Sequence, residues 1–186
     1  MKLVFYRIAF GMLLVLLDLH APIDVLPDPL GYLLIFHELK ALRRKEKVFR
    51  WGCYAAGLLV VISAVTFFRP LYFKADASGL LPNDDPVLDY ASGLLQLVLF
   101  YSLCLGTREL ALLRGRSDLA SSLRFRWRLY FGSTAAYLAA VPVARYVDIE
   151  PWIQLMTMCS IVAYFLIFMV MRRAGRELEH PFNPRS

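Results

Sequence analysis

The sequence predicts an all-α fold: a polytopic bundle of six transmembrane helices arranged as three hairpins, with a five-span arrangement as the alternative. Three observations lead there. Apolar residues fill 59% of the 186 positions, against roughly 45–50% in ordinary soluble domains, and the excess is gathered into long uncharged runs. Lysine and arginine collect between alternate runs. An acid followed by proline opens every second run. The chain reads as one integral membrane domain, 1–186, with spans at about 3–19, 29–42, 52–68, 88–107, 129–145 and 152–171.

The runs differ in strength. Gly52 to Phe68, Tyr90 to Thr107, Leu129 to Ala144 and Trp152 to Met171 carry no charge, and a spanning helix needs about 20 mostly apolar residues. The Leu129 run is short, but Arg128 and Arg145 at its two ends can reach the two interfaces. The first run, Leu3 to Leu19, is broken only by Arg7 and Asp18, and it reads as a retained helix rather than a cleaved signal. The second is the weakest: Pro29 to Phe36 is apolar, after which His37, Glu38 and Lys40 intervene. It spans if its charged end meets headgroups, and dropping it gives the five-span alternative.

Loop charge decides for six. With the amino terminus inside, the inner side holds Arg43, Arg44, Lys45, Lys47, Arg50, Arg114, Arg116, Arg124, Arg126, Arg128, Arg172, Arg173 and Arg176. Only Arg69, Lys74 and Arg145 fall outside, together with Asp24, Asp28, Asp76, Asp84, Asp85, Asp148 and Glu150. This is the positive-inside bias. It places both termini in the cytoplasm and the protein in a cell membrane, with inner linkers near 43–50 and 107–128. The net charge of +6 is therefore read as orientation and as affinity for anionic lipid headgroups at the basic linkers, not as nucleic-acid binding. The alternating Arg124-Phe-Arg126-Trp-Arg128 stretch is read the same way.

Asp28-Pro29, Asp85-Pro86 and Glu150-Pro151 each stand where a chain re-enters from outside. A carboxylate there accepts from free backbone donors and favours the positive helix end, and proline at the first helical position loses no hydrogen bond. Independent use of a common helix start and the trace of an old repeat both account for the three.

The densest group of chemistry-bearing residues is the first outer loop, where Asp18, His20, Asp24 and Asp28 fall within eleven residues stiffened by Pro22, Pro27 and Pro29, with Tyr32 one turn beyond. Two readings stand. In one, these five residues form an outward polar pocket that binds a ligand or ion or relays protons. In the other, each serves its own helix end or meets headgroups. No single metal is specified by three carboxylates and one histidine. Leu26-Pro27-Asp28-Pro29-Leu30-Gly31-Tyr32 resembles the LPD-x-x-G-Y segment of a group of small bacterial multi-span membrane proteins without an assigned activity. The resemblance covers about ten residues closely and the hydropathy plan loosely. It implies the same topology and marks Asp28, Gly31 and Tyr32.

Other motifs are weaker. His37-Glu38 would open a zinc-protease helix, but the second histidine is replaced by Ala41. Ala135 and Ala139, with Ala136 and Ala140, offer small residues four apart for close helix approach. Cys53, Cys104 and Cys159 lie in apolar runs as small hydrophobes. No phosphate loop, nucleophile elbow, CxxC or voltage-sensor ladder is present, and no cofactor is expected. The leading expectation is a non-enzymatic membrane protein that binds a lipid, an ion or another membrane protein. A small transporter or channel subunit, and a metal-dependent lipid enzyme using the Asp18–Asp28 cluster, are the alternatives.

Overall fold

The computed structural model describes residues 2–18, 28–44, 46–72, 86–143 and 150–178. Among the described residues are six helices and no strand: α1 (Lys2–Asp18), α2 (Asp28–Leu42), α3 (Phe49–Tyr72), α4 (Pro86–Leu113), α5 (Ser117–Val143) and α6 (Glu150–Glu177). The expected all-α bundle is what the chain forms. Each helix packs on its neighbours in sequence and α6 returns to α1, so the helices close into an up-and-down ring. Side-chain bonds fix the register. Arg7 on α1 pairs with Glu38 on α2 at 3.0 Å, Ser102 on α4 donates to the Val48 carbonyl before α3 at 2.7 Å, and Tyr164 on α6 donates to the Met12 carbonyl on α1 at 2.8 Å.

The helix starts follow the acid–proline pattern. α2 opens at Asp28, α4 at Pro86 and α6 at Glu150. The α4–α5 junction departs from expectation. In place of a long linker over 107–128, both helices continue and a short turn joins them. Gly115 takes a φ of 70°. The Arg116 amide donates to the Ala111 carbonyl and the Gly115 amide to the Leu112 carbonyl, the paired bonds that end a helix on a left-handed glycine. Arg108, Arg124, Arg126 and Arg128 thus lie on helix faces, and Arg114 and Arg116 in the turn between them.

Three helices contain stretches long and apolar enough to cross a membrane, Phe49–Phe67, Tyr90–Leu113 and Pro151–Glu177, and Leu3–Leu16 is a shorter apolar helix. α2 has only 15 residues. Buried side chains run at helical spacing along each helix: Phe5, Ile8, Met12 and Val15 on α1, Tyr32, Ile35, Leu39 and Leu42 on α2, Ala163, Ile167, Val170 and Ala174 on α6. The outer faces are apolar as well, including Phe10 on α1, Leu30 and Leu33 on α2 and Phe131 on α5. Water-facing helices are polar on that side, so this exterior is suited to lipid.

Close helix approach is seen at glycines; of the alanine pairs of α5, Ala135, Ala136 and Ala140 are partly buried and Ala139 is exposed. A Cβ on Gly31 would lie 2.6 Å from Val15 Cγ2 and 2.9 Å from the Gly11 carbonyl oxygen. A Cβ on Gly11 would lie 2.8 Å from the Gly31 carbonyl oxygen. Each leaves room for the other's backbone. Glu38, expected at an interface beside His37, is buried while His37 is exposed. Its partner Arg7 makes that burial tolerable, because a buried carboxylate without a counter-charge is strongly destabilising.

Gly31→Ala is expected to cost on the order of 1–3 kcal/mol by overpacking against backbone, read as thermal unfolding in detergent. Gly132→Ala, where an added Cβ meets nothing within 4 Å, should be neutral or stabilise by up to about 1 kcal/mol. Equal losses in both would remove the close-packing account of Gly31. Arg7→Met alone should melt lower than Arg7→Met combined with Glu38→Leu, since only the single variant strands a buried carboxylate.

Candidate functional site

The shortness of α2 sets the site. Gln96 Nε2 on α4 donates to the Tyr32 hydroxyl on α2 at 2.8 Å. Tyr32 stands four residues after the start of α2 and Gln96 ten after the start of α4. The two helices run in the same direction, so the first turn of α2 lies about 9 Å deeper than that of α4, at 1.5 Å per residue. Asp28 is carried down with it, half-buried, within electrostatic reach of Tyr32 and Tyr164.

Beside this sunken start is a cavity of about 410 Å³ between α1, α4, α5 and α6. Val15, Leu16, Gly93, Leu138 and Ile161 give it apolar walls, and Ser92, Gln96, Tyr130, Thr134, Tyr137, Thr157, Ser160 and Tyr164 give it polar groups. Among the described residues that line it, none carries a formal charge. The Ser160 hydroxyl oxygen is shielded from solvent and has no protein partner among the described residues. Tyr90 bonds the Leu138 carbonyl at 2.8 Å, tying the first turn of α4 to α5 beside the cavity.

The floor is aromatic. Phe100 is packed edge-on by Tyr130, with ring centroids 4.8 Å apart, and by Tyr164 at 5.0 Å. Leu99, Leu103, Cys104 and Thr107 continue the core of α4 towards its end and are all buried. Tyrosines suit such a place. Their rings fill core volume, and each hydroxyl needs only a single partner: Tyr164 uses the Met12 carbonyl, and Tyr32 accepts from Gln96 and retains its own proton to donate.

Of the five site residues expected from the sequence, Asp28 and Tyr32 are brought to this region, Tyr32 one bond from the cavity wall at Gln96. Asp18 is the last residue of α1, and His20 and Asp24 lie outside the described residues. Among the described residues no group of three or more His, Cys, Asp or Glu could hold a metal ion. The loop reading missed the lining of α4, α5 and α6. A signal for it was present: Thr157, Ser160 and Tyr164, and Tyr130, Thr134 and Tyr137, recur at helical spacing inside apolar runs. A polar stripe on a membrane helix faces protein or a cavity, because lipid cannot satisfy it. No protein family, curated protein or solved structure matches the chain.

Tyr32→Phe is expected to cost about 0.5–1.5 kcal/mol by orphaning the Gln96 amide. Tyr32→Phe with Gln96→Leu should recover most of that loss. A double variant no more stable than the single one would show that the bond does not hold α2 to α4.

Proposed function

We propose that the protein is a multi-pass membrane protein that binds a small, uncharged, amphipathic ligand in this cavity from the outer side of the membrane. The single observation that carries the reading is the cavity itself: hydroxyl and amide groups of three helices converge on it between apolar walls, in a bundle whose exterior is apolar on every helix. Pockets of this size that mix apolar lining with a few placed polar groups are the usual form of small-ligand sites. The neutral character of the described lining residues, with the Asp28 carboxylate behind them, favours neutral molecules over anions. The aromatic floor of Phe100, Tyr130 and Tyr164 supports binding over conduction, since beyond it Leu103, Cys104, Leu110 and Ala111 fill the interior along α4 and the buried Ser102 hydroxyl is held by the Val48 carbonyl.

All six helices cross in this reading. α1 and α2, about 25 and 22 Å long at 1.5 Å per residue, are shorter than a hydrocarbon core of about 30 Å. The end of α1 at Asp18 and the start of α2 at Asp28 therefore sit below the outer interface, where polar groups are tolerated only against protein or water. Both termini face the cytoplasm, and the arginine-rich end meets the anionic headgroups of a cell membrane. The Asp28 segment stands behind the Gln96 wall of the site, joined to it by Tyr32, and the likeness to the LPD-x-x-G-Y membrane proteins marks Asp28, Gly31 and Tyr32 as positions to test.

Single cysteines in a background lacking Cys53, Cys104 and Cys159 test the reading with a membrane-impermeant thiol reagent. Ser78→Cys and Thr157→Cys, the latter at an exposed position of the cavity lining, are expected to label in intact cells. Ser117→Cys should label only after the membrane is broken, and Leu103→Cys, beyond the floor, in neither case. Labelling of position 78 only in broken membranes would invert the topology. Protection of position 157 under every condition would remove an outward cavity.

A further inference from the structure

A second site lies at the basic end. We propose that the cleft between α4 and α5 holds the phosphate of an anionic phospholipid headgroup, an inference that rests on the membrane placement above but not on the outer cavity.

The argument begins with helix geometry. In Arg124-Phe-Arg126-Trp-Arg128, Arg124 and Arg128 are four residues apart and share a face of α5, while Arg126 points across the helix. The structure separates them accordingly. Arg126 donates to the Leu166 carbonyl of α6 at 2.6 Å. Arg124 and Arg128 instead join Arg108 of α4, and the three arginines line two adjoining cavities of about 380 Å³ each. Like charges four apart on a helix repel, and a third cation facing them adds to that cost. The acids nearby answer little of it. Glu109 pairs with Arg108 at 2.9 Å but is the more exposed partner of the two, and Asp118 is exposed in the first turn of α5. Three guanidinium groups against one solvated carboxylate is an arrangement that an oxyanion completes, and guanidinium groups match phosphate through paired N–H donors.

The walls indicate a lipid rather than free phosphate. One cavity continues along Tyr101, Leu105, Leu123 and Trp127, and Trp127 packs on Tyr101 with centroids 5.3 Å apart. That aromatic surface, at the level where tryptophan and tyrosine meet headgroups, accommodates glycerol and the first methylenes of an acyl chain. The other cavity reaches Ser117 and Ser121 at the start of α5, where first-turn amides and the helix dipole favour negative charge. A headgroup hydroxyl or a second phosphate fits there. Inorganic phosphate would use the arginines and leave the aromatic chamber without a role.

The test uses the full chain in detergent, titrated with phosphatidylglycerol or phosphatidylcholine and read by native mass spectrometry. One phosphatidylglycerol should be retained per chain in preference to phosphatidylcholine. Arg124→Gln with Arg128→Gln should weaken that binding at least about tenfold, the scale of lost charge-assisted hydrogen bonds. Arg44→Gln with Arg50→Gln removes the same charge from positions that are exposed, as Arg124 and Arg128 are, but lie outside the cleft at the same end, and should change it by less than about twofold, as expected of screened charge without paired contacts. Equal weakening by both pairs would show diffuse attraction and overturn the proposal. Displacement of the lipid by an equal concentration of inorganic phosphate, or equal retention of phosphatidylcholine, would overturn it too. If the glutamine pair does not melt cooperatively, Arg108→Gln decides by the same criterion. Resistance of the wild-type chain to carbonate extraction from membranes reads the membrane placement separately, so its failure is distinguishable from loss of lipid selectivity.

Discussion

α2 is a helix of 15 residues in a ring whose α4 and α6 each have 28. The Arg7–Glu38 pair fixes its last turns against the first turns of α1, so the whole shortfall falls at its start. There Gly11 and Gly31 allow the two backbones to come into contact, and the Tyr32–Gln96 bond reaches across to α4. A longer α2 would fill the space now occupied by its sunken first turn. Asp28 would then sit at the rim, and Tyr32 would face the opening of the ring instead of Gln96.

The polar groups of the interior are sorted by what low dielectric permits. Near the basic end a single carboxylate is buried, and it is paired with a guanidinium that remains partly in solvent. Deeper in, the polar groups are neutral: tyrosines, a glutamine, serines and threonines, bonded to one another or to helix carbonyls. Such groups are tolerable in an apolar bundle because a neutral hydroxyl or amide costs far less to bury than a charge, which would need both a partner and hydration, and the hydroxyls without a partner among the described residues, on Thr134 and Ser160, line the cavity. The same sorting gives the cavity its character as a site for uncharged molecules.

The arginines of α5 follow a different rule. Alternation in sequence becomes separation in space, because residues two apart on a helix face opposite sides. Arg126 is spent on an interhelical bond to the Leu166 carbonyl, and Arg114 likewise donates to the Leu178 carbonyl at the end of α6. Arg108, Arg124 and Arg128 remain around the α4–α5 cleft. One basic segment thus contributes both to closing the ring and to the surface at its end.

Much of this was legible in the chain itself. Uncharged apolar runs can bury their backbone polar groups only as helices in a bundle, so the number and order of helices follow from hydropathy. Prolines without a donor and acids at free amides set where α2, α4 and α6 begin. The candidate site was legible only at Asp28 and Tyr32, because a local reading weighs the density of ionisable residues along the chain. The cavity is built from neutral residues at positions as far apart as 92 and 164, each of which alone reads as a tolerated polar residue in a span. The alanines of α5 looked like the close-packing surface because small side chains four apart are all that a single helix can display. Which helices actually touch, and therefore that Gly11 meets Gly31 and Glu38 meets Arg7, depends on the offset between neighbours. That offset is set by the unequal lengths of the helices and the closure of the ring, quantities that no single segment contains.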